Sequence, residues 1–325
     1  MTKVYLAFTD LGWLTRLGDS VTAGHLEPLP PREAGRVLVS FHYLKMLAGR
    51  GVDPALHTAE LVNRGFGAPA DLFIDSGGFS AWSKGAMVSL DDYIEFVRLS
   101  PRKWSIVATL DVIGDAAATA ANTHRMMKEL PGEAVYPVFH VGSDWKWLRY
   151  WVERSPHLCV GGMVPYTSRP AVLRTWLRRC FDIIPPTTKV HGLGLTMFPL
   201  LREFPFASVD SSSWVVGMRY GVHRLFDEQR GTFVPVGGKA VAVPRRDLLA
   251  RYGLTDLPAR DDYAGYVRMS LDSWYRAERW IRSYWERRRG ESPTGDSAVD
   301  QLAGGVVQPA QDLSDADGVA QAIDP

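Results

Sequence analysis

Three carboxylates in this chain each close a short apolar run. Asp75 ends Leu72-Phe73-Ile74-Asp75 and is followed by Ser76, Gly77, Gly78 and Phe79. Asp111 ends Ile106-Val107-Ala108-Thr109-Leu110-Asp111, and Asp210 ends Phe206-Ala207-Ser208-Val209-Asp210. An apolar run that stops at an acid is how a buried parallel strand delivers a carboxylate to the rim of a sheet. The two glycines behind Asp75 tolerate positive φ and let backbone approach a ligand closely. Paired carboxylates suit chemistry at an anomeric carbon. One attacks or stabilises an oxocarbenium-like centre and the other moves a proton. A third carboxylate can accept hydrogen bonds from the N–H edge of a guanine-like ring.

These acids need a scaffold that brings strand ends together. Strands are expected at 3–8, 37–41, 72–75, 106–111, 135–139, 158–162, 190–193 and 207–210. Helical spacing is clearest at 90–99, 116–129, 145–153, 171–181 and 197–203. Eight strands alternating with helices predict an α/β chain folded as a (β/α)8 TIM barrel. An open doubly wound sheet is the rival, but it calls for a glycine-rich phosphate loop after the first strand, and none follows 3–8. In a barrel the strand C-termini share one mouth. There the expected set is Asp75, Asp111, His140, Gly161, Gly162, Gly192, Leu193, Gly194 and Asp210.

The segment 10–36 reads as a long proline-rich loop, and 231–244 as a small hairpin or covering strands. The stretch 261–289 has a strong helical pattern rich in Trp, Tyr and Arg. Its aromatic stripe is expected to pack on the barrel, and its arginines could face phosphates. The chain is thus expected to form one barrel domain over 1–290, followed by a disordered acidic tail over 291–325.

Hydrophobic residues make up 46% of the chain and charged residues 22%, the balance of an ordinary soluble globular protein. No apolar run is long enough for a membrane span, and the N-terminus lacks signal-peptide features. The only cysteines, Cys159 and Cys180, fit a reducing cytoplasm and give no metal-ligand spacing, so no metal or cofactor is expected. The net charge of +1 conceals an asymmetry: residues 291–325 hold seven acids and no Lys or Arg, so the body carries 1 + 7 = +8. A basic body is compatible with a polyanionic ligand.

The residues at the strand ends resemble a known family. Asp75-Ser76-Gly77-Gly78-Phe79 resembles the Asp-Ser-Gly-Gly-Phe signature of the tRNA-guanine transglycosylases. Leu110-Asp111 is similar to the family's base-recognising aspartate, and Val160-Gly161-Gly162-Met163 to its Gly-Gly segment bordering the base. His191-Gly192-Leu193-Gly194 resembles the glycine strand before the nucleophile, and Val209-Asp210-Ser211 the strand that ends in it. The pieces occur in family order across 72–214. Two departures stand out. No cysteine follows Cys180, so the family's zinc cluster is missing, and His140 stands where the family has a base-reading glutamine. The short zinc-less chain, with Val39-Ser40-Phe41-His42-Tyr43 and the Trp-rich C-terminal helix, looks more like the phage-type DNA 7-deazaguanine transglycosylases.

The resemblance implies exchange of guanine in DNA for a free 7-deazaguanine base, such as the cyano- or aminomethyl-substituted form. It implies Asp210 as nucleophile, Asp75 as general acid/base, and Asp111, Ser76, Gly77, Gly78, Phe79, His140, Gly161, Gly162, Gly192, Leu193 and Gly194 around the base. The expected setting is the cytoplasm of a bacterial or phage-infected cell, with no membrane partner. A protein partner could use the tail or the barrel surface.

Plainer roles stand beside these. Asp75 could cap its turn, Asp111 a helix, although Asp115 is better placed, and Asp210 the serines behind it. Ser76 could serve the turn, and His42 and His191 read as structural. Competing functions are the same exchange on tRNA, a catalytically silent nucleic-acid-binding barrel, and a glycoside hydrolase using Trp82, Trp145 and Trp214. Deleting 291–325 should leave folding intact, because the segment has too little apolar content to join a core. A thermal melt of the truncated protein checks this, and a large drop in Tm would overturn the reading.

Overall fold

The computed structural model describes residues 2–8, 11–25, 33–82, 85–238, 245–259 and 261–290. The expected tail, 291–325, lies outside the described residues. The sheet strands are β1 (Lys3–Phe8), β2 (Gly35–Ser40), β3 (Ala70–Asp75), β4 (Ile106–Ala108), β5 (Val135–Tyr136), β6 (Val138–His140), β7 (His157–Gly161), β8 (Lys189–Gly192) and β9 (Ser208–Ser211). All their pairings are parallel, in the order β5-β4-β3-β2-β1-β9-β8-β7-β6.

The two ends of that order are one stretch of chain. Only Pro137 separates β5 from β6, and proline has no N–H to give to a ladder. Val135 and Tyr136 pair with β4, whereas Val138, Phe139 and His140 pair with β7. The sheet therefore returns on itself as a TIM-like barrel, with helices around it. Its interior is filled by Tyr5, Leu38, Phe73, Ile106, Ala108, Tyr136, Val138 and Cys159. The outward residues of the same strands, such as Val4, Leu6, Val37, Val39, Leu72 and Ile74, pack against the helices. This is the period-2 alternation of a strand that is buried on both faces.

Several expected boundaries shift. The segment read as a loop over 10–36 contains a helix, Gly12–Thr22, whose Leu14 and Leu17 are buried. Its apolar stripe was masked by flanking glycines and prolines. The strand expected to run to Asp111 stops at Ala108. The hairpin lies earlier than expected, as β10 (Val222–Asp227) against β11 (Thr232–Gly238).

The helix Tyr263–Gly290 runs along the barrel wall. Its first half reaches the mouth end, where Ser270 Oγ donates to Trp214 O at 2.5 Å. Its second half reaches the opposite end, where Glu278 Oε2 accepts from Val4 N at 3.2 Å. The expected packing of its aromatics holds: Trp274, Tyr275, Trp280, Tyr284 and Trp285 belong to the core or lie against it. Several of its arginines pair within the fold. Arg276 meets Asp272 and Glu228, and Arg282 meets Glu33.

Ion pairs close the base of the barrel. Asp71 accepts from Lys3 Nζ at 2.9 Å and Tyr5 OH at 2.8 Å, and lies 3.5 Å from Arg36 Nε. Arg36 also binds Glu278 at 2.5 Å, and both are buried. Breaking one side of a buried pair strands the other charge. Glu278→Ala should therefore destabilise the fold by about 3–5 kcal/mol, measured by denaturant unfolding, and Glu278→Gln by less. A loss below about 1 kcal/mol for Glu278→Ala, the range of a surface pair, would show that helix and barrel base are not joined through this pair.

Candidate active site

Strand parity decides what reaches the mouth. Phe73 faces the interior, so Asp75, two residues on and last in β3, faces it at the rim. In β9, Ser208 and Asp210 share one face, and on neighbouring β8 His191 meets both side chains. His140 ends β6 and Gly161 ends β7. Asp111 is not on its strand. It lies in the loop after β4, ahead of the helix Ala116–Glu129, and Asn122 Nδ2 holds the preceding Leu110 carbonyl at 2.9 Å. Asp115 caps that helix, its Oδ1 accepting from Ala118 N at 2.8 Å, which leaves Asp111 free of that duty.

Each acid has its own environment. Asp210 is 8% exposed, and Oδ1 accepts from Gly194 N at 2.7 Å and lies 3.2 Å from His191 Nε2. Both contacts fall on Oδ1. His191 is fully buried, and its Nδ1 lies 2.8 Å from Ser208 Oγ. A neutral imidazole accepting from Ser208 and donating to Asp210 satisfies both contacts. Asp111 Oδ2 lies 2.8 Å from His140 Nε2, and its Oδ1 accepts from Ser76 Oγ at 3.4 Å.

Asp75 is met by backbone N–H groups, those of Gly77 and Ser76. Its Oδ2 accepts from Gly77 N at 2.9 Å, as a turn cap would. Burial, and then the negative field of Asp111, push its carboxyl up to about 7, while the Gly77 hydrogen bond works the other way. Asp210 adds to the upward push. The three acids therefore share one mouth and one field. A carboxyl that titrates near neutrality can both give and take a proton, a property typical of functional sites.

The glycines differ in what they do. Gly77 has φ of 75°, and a Cβ there would stand 2.4 Å from Ser40 Oγ and 2.5 Å from His42 Cβ. A Cβ on Gly161 would stand 3.1 Å from both His140 and Leu193, so this glycine keeps the floor beside His140 open. Gly78 passes close over Asp111, and Gly162 against the His140 backbone. A Cβ on Gly192 would point outward, where the missing side chain admits Phe206 and Leu195. Ser76 is fully buried and accepts from Gly78 N at 3.1 Å, so it braces the turn and Asp111 together. Phe79 is exposed on the short helix Gly78–Trp82.

Two site residues escaped the sequence reading. His191 supports Asp210 directly, although a histidine inside a strand reads as structural until its neighbouring strand is known. Ser40 ends β2 in register with Asp75, is buried, and its Oγ finds no hydrogen-bond partner among the described residues. The alternation with interior Leu38 was the available signal for it. Of the tryptophans in the hydrolase reading, the side chain of Trp82 lies outside the described residues. Trp214 is buried against Phe8, and Trp145 packs on Phe139 under Arg179.

Among the described residues, no group of three or more His, Cys, Asp or Glu could hold a metal ion, and no helix is long and apolar enough to cross a membrane. Cys159 and Cys180 are buried free thiols, pushed up by burial. No protein-family model matches this chain, and no curated protein is similar to it at a significant level.

The raised carboxyl has a thermodynamic consequence. Between its ordinary value of 3.8 and about 7, folded Asp75 keeps a proton that the unfolded chain has released. Its contribution to stability therefore falls as pH rises through that window. Asp75→Asn carries no such charge. Relative to the parent, it should gain ~1–4 kcal/mol of stability on going from pH 4 to pH 8. Urea unfolding at both pH values measures this, and an identical difference at pH 4 and pH 8 would show that Asp75 is not perturbed.

Proposed function

We propose that this protein exchanges guanine in DNA for a free 7-deazaguanine base through a covalent aspartyl–glycosyl intermediate. The observation that carries the reading is the pairing, at one barrel mouth, of a proton-holding Asp75 with an Asp210 fixed by two donors on one oxygen. The division is the one that double-displacement chemistry at C1′ requires. The residue-level resemblance of 72–214 to the transglycosylases supplies the substrate class.

In the first step an Asp210 oxygen attacks C1′ of a nucleotide that has left the stack. The C1′–O bond forms as the C1′–N9 bond breaks. The electron pair goes to guanine, which takes the Asp75 proton. Guanine leaves, and the 7-deazaguanine enters with a proton on N9. Asp75, now a carboxylate, removes that proton. N9 attacks C1′, the ester bond breaks, and Asp210 is restored. Two inversions give net retention. Asp111, oriented by His140 and Ser76, accepts from the ring N–H and exocyclic amine. Ser40 offers a further hydroxyl beside Asp75. The reaction belongs in the cytoplasm, where DNA and free base meet, and tRNA is the alternative polymer.

The test is denaturing gel electrophoresis of the protein with labelled DNA or tRNA, with and without free base. The wild-type protein should form a denaturant-stable adduct with DNA that free base discharges. Asp210→Asn should form none. Asp75→Asn should trap adduct that base no longer discharges, or form it at least 100-fold more slowly. An adduct surviving in Asp210→Asn would assign the nucleophile elsewhere. Adducts with tRNA alone would keep the chemistry and change the polymer.

A further inference from the structure

A cavity lies beyond the ends of β8 and β9. It holds about 260 Å³ and shares no lining residue with the three-acid mouth. The two are nonetheless joined through short loops. Gly194, whose N–H holds Asp210, is followed at once by a loop whose Thr196 and Met197 line the cavity. Asp210 itself is followed by Ser213 and Trp214, which line it from the other side. The Trp214 indole donates to Ala7 O at 2.8 Å, at the C-terminal end of β1, so the cavity stands at the same end of the barrel as the mouth.

Its walls are aromatic and adaptable. Trp214, Phe233 and Trp274 supply flat apolar surface, and Met197, Met218 and Met269 supply flexible, polarisable surface. His223 and Tyr266 both line it and stack on each other, centroids 4.2 Å apart and planes 13° apart. Burial holds His223 below its ordinary value, which leaves a neutral imidazole with one donor and one acceptor nitrogen. The exposed Arg224 lines the cavity too, with Nη2 3.3 Å from Phe233 O. An aromatic-walled cleft of this size with polar groups at its edge has the shape and lining that suit a ring-sized ligand.

We propose that this cavity is a second binding site, for a planar heteroaromatic ring of nucleobase size. Aromatic walls stack on the faces of such a ring, the neutral imidazole and nearby hydroxyls meet its polar edge, and Arg224 meets a phosphate attached to it. The ring is either carried by a polynucleotide, as a base flanking the reacting nucleotide, or free. Only the first source rests on the function proposed above.

Methionine methyl NMR tests the site directly, because three of the nine methionines line it. The probes are guanosine, guanosine 5′-monophosphate and a single-stranded DNA hexamer, added to protein carrying Asp111→Ala so that base reading at the mouth is removed. The ε-methyl signals of Met197, Met218 and Met269 should shift saturably, while exposed Met46 and Met87 stay in place. Ser213→Phe, which extends a ring from the exposed rim into the space, should weaken binding at least ten-fold. Met218→Phe is a second, independent filling. Arg224→Gln should weaken the monophosphate and the hexamer but not the nucleoside. Shifts with the hexamer identify a polynucleotide-borne base, and shifts with the small probes alone identify a free one. If no probe moves these three methyls, or if all methionines move together, the proposal fails. It can fail while the Asp210 adduct still forms, which separates it from the reaction at the mouth.

Discussion

A parallel sheet that closes on itself has a single rim at which every strand ends, and this chain sets three acids into one another's field there. Like charges in a partly dehydrated space repel strongly. Two of the acids are given donors. His140 and Ser76 face Asp111, and His191 and the Gly194 N–H face Asp210. Asp75 has the Gly77 and Ser76 N–H groups behind it and the fields of both other acids in front, and burial together with those fields raises its carboxyl. The three carboxylates thus sit in unlike environments, Asp111 and Asp210 each beside a histidine and Asp75 beside backbone N–H groups.

That arrangement depends on a rigid interior. Tyr5 and Phe73 meet edge to face at 5.6 Å, and Phe73 meets the His191 ring at 4.6 Å. Below them, Tyr5 donates to Asp71 within the ion pairs of the barrel base. A packed column thus runs from the closed end of the barrel to the histidine that fixes Asp210. The helix Tyr263–Gly290 braces both ends from outside, at Ser270 near the mouth and Glu278 at the base. The two ends differ in kind. At the base, opposite charges neutralise one another, whereas at the mouth three acids face one another.

The cavity beside Trp214 extends the same economy of parts. The loops that support Asp210 also form its walls. The hairpin β10–β11 and the first half of the long helix complete the enclosure.

Much of this was legible in the chain. Apolar runs ending in Asp75 and Asp210 announced strands that deliver acids to a rim, because alternation and burial on both faces leave that mark on sequence. The barrel followed from eight such runs separated by helical spacing. Tertiary structure alone decided the rest. Closure at Pro137 is a matter of which strands pair on either side of one residue, and no local pattern encodes it. Asp111 lies beyond its strand because the paired ladder of β4 ends at Ala108, and the outward direction of a Gly192 Cβ follows only once His191 is known to face in. The roles of His191 and Ser40 depend on register between strands distant in sequence. The raised carboxyl of Asp75 comes from burial first and then from the fields of Asp111 and Asp210. Local sequence sets residue type and periodicity, but distance between residues far apart in the chain, and therefore electrostatics, exists only in the folded molecule.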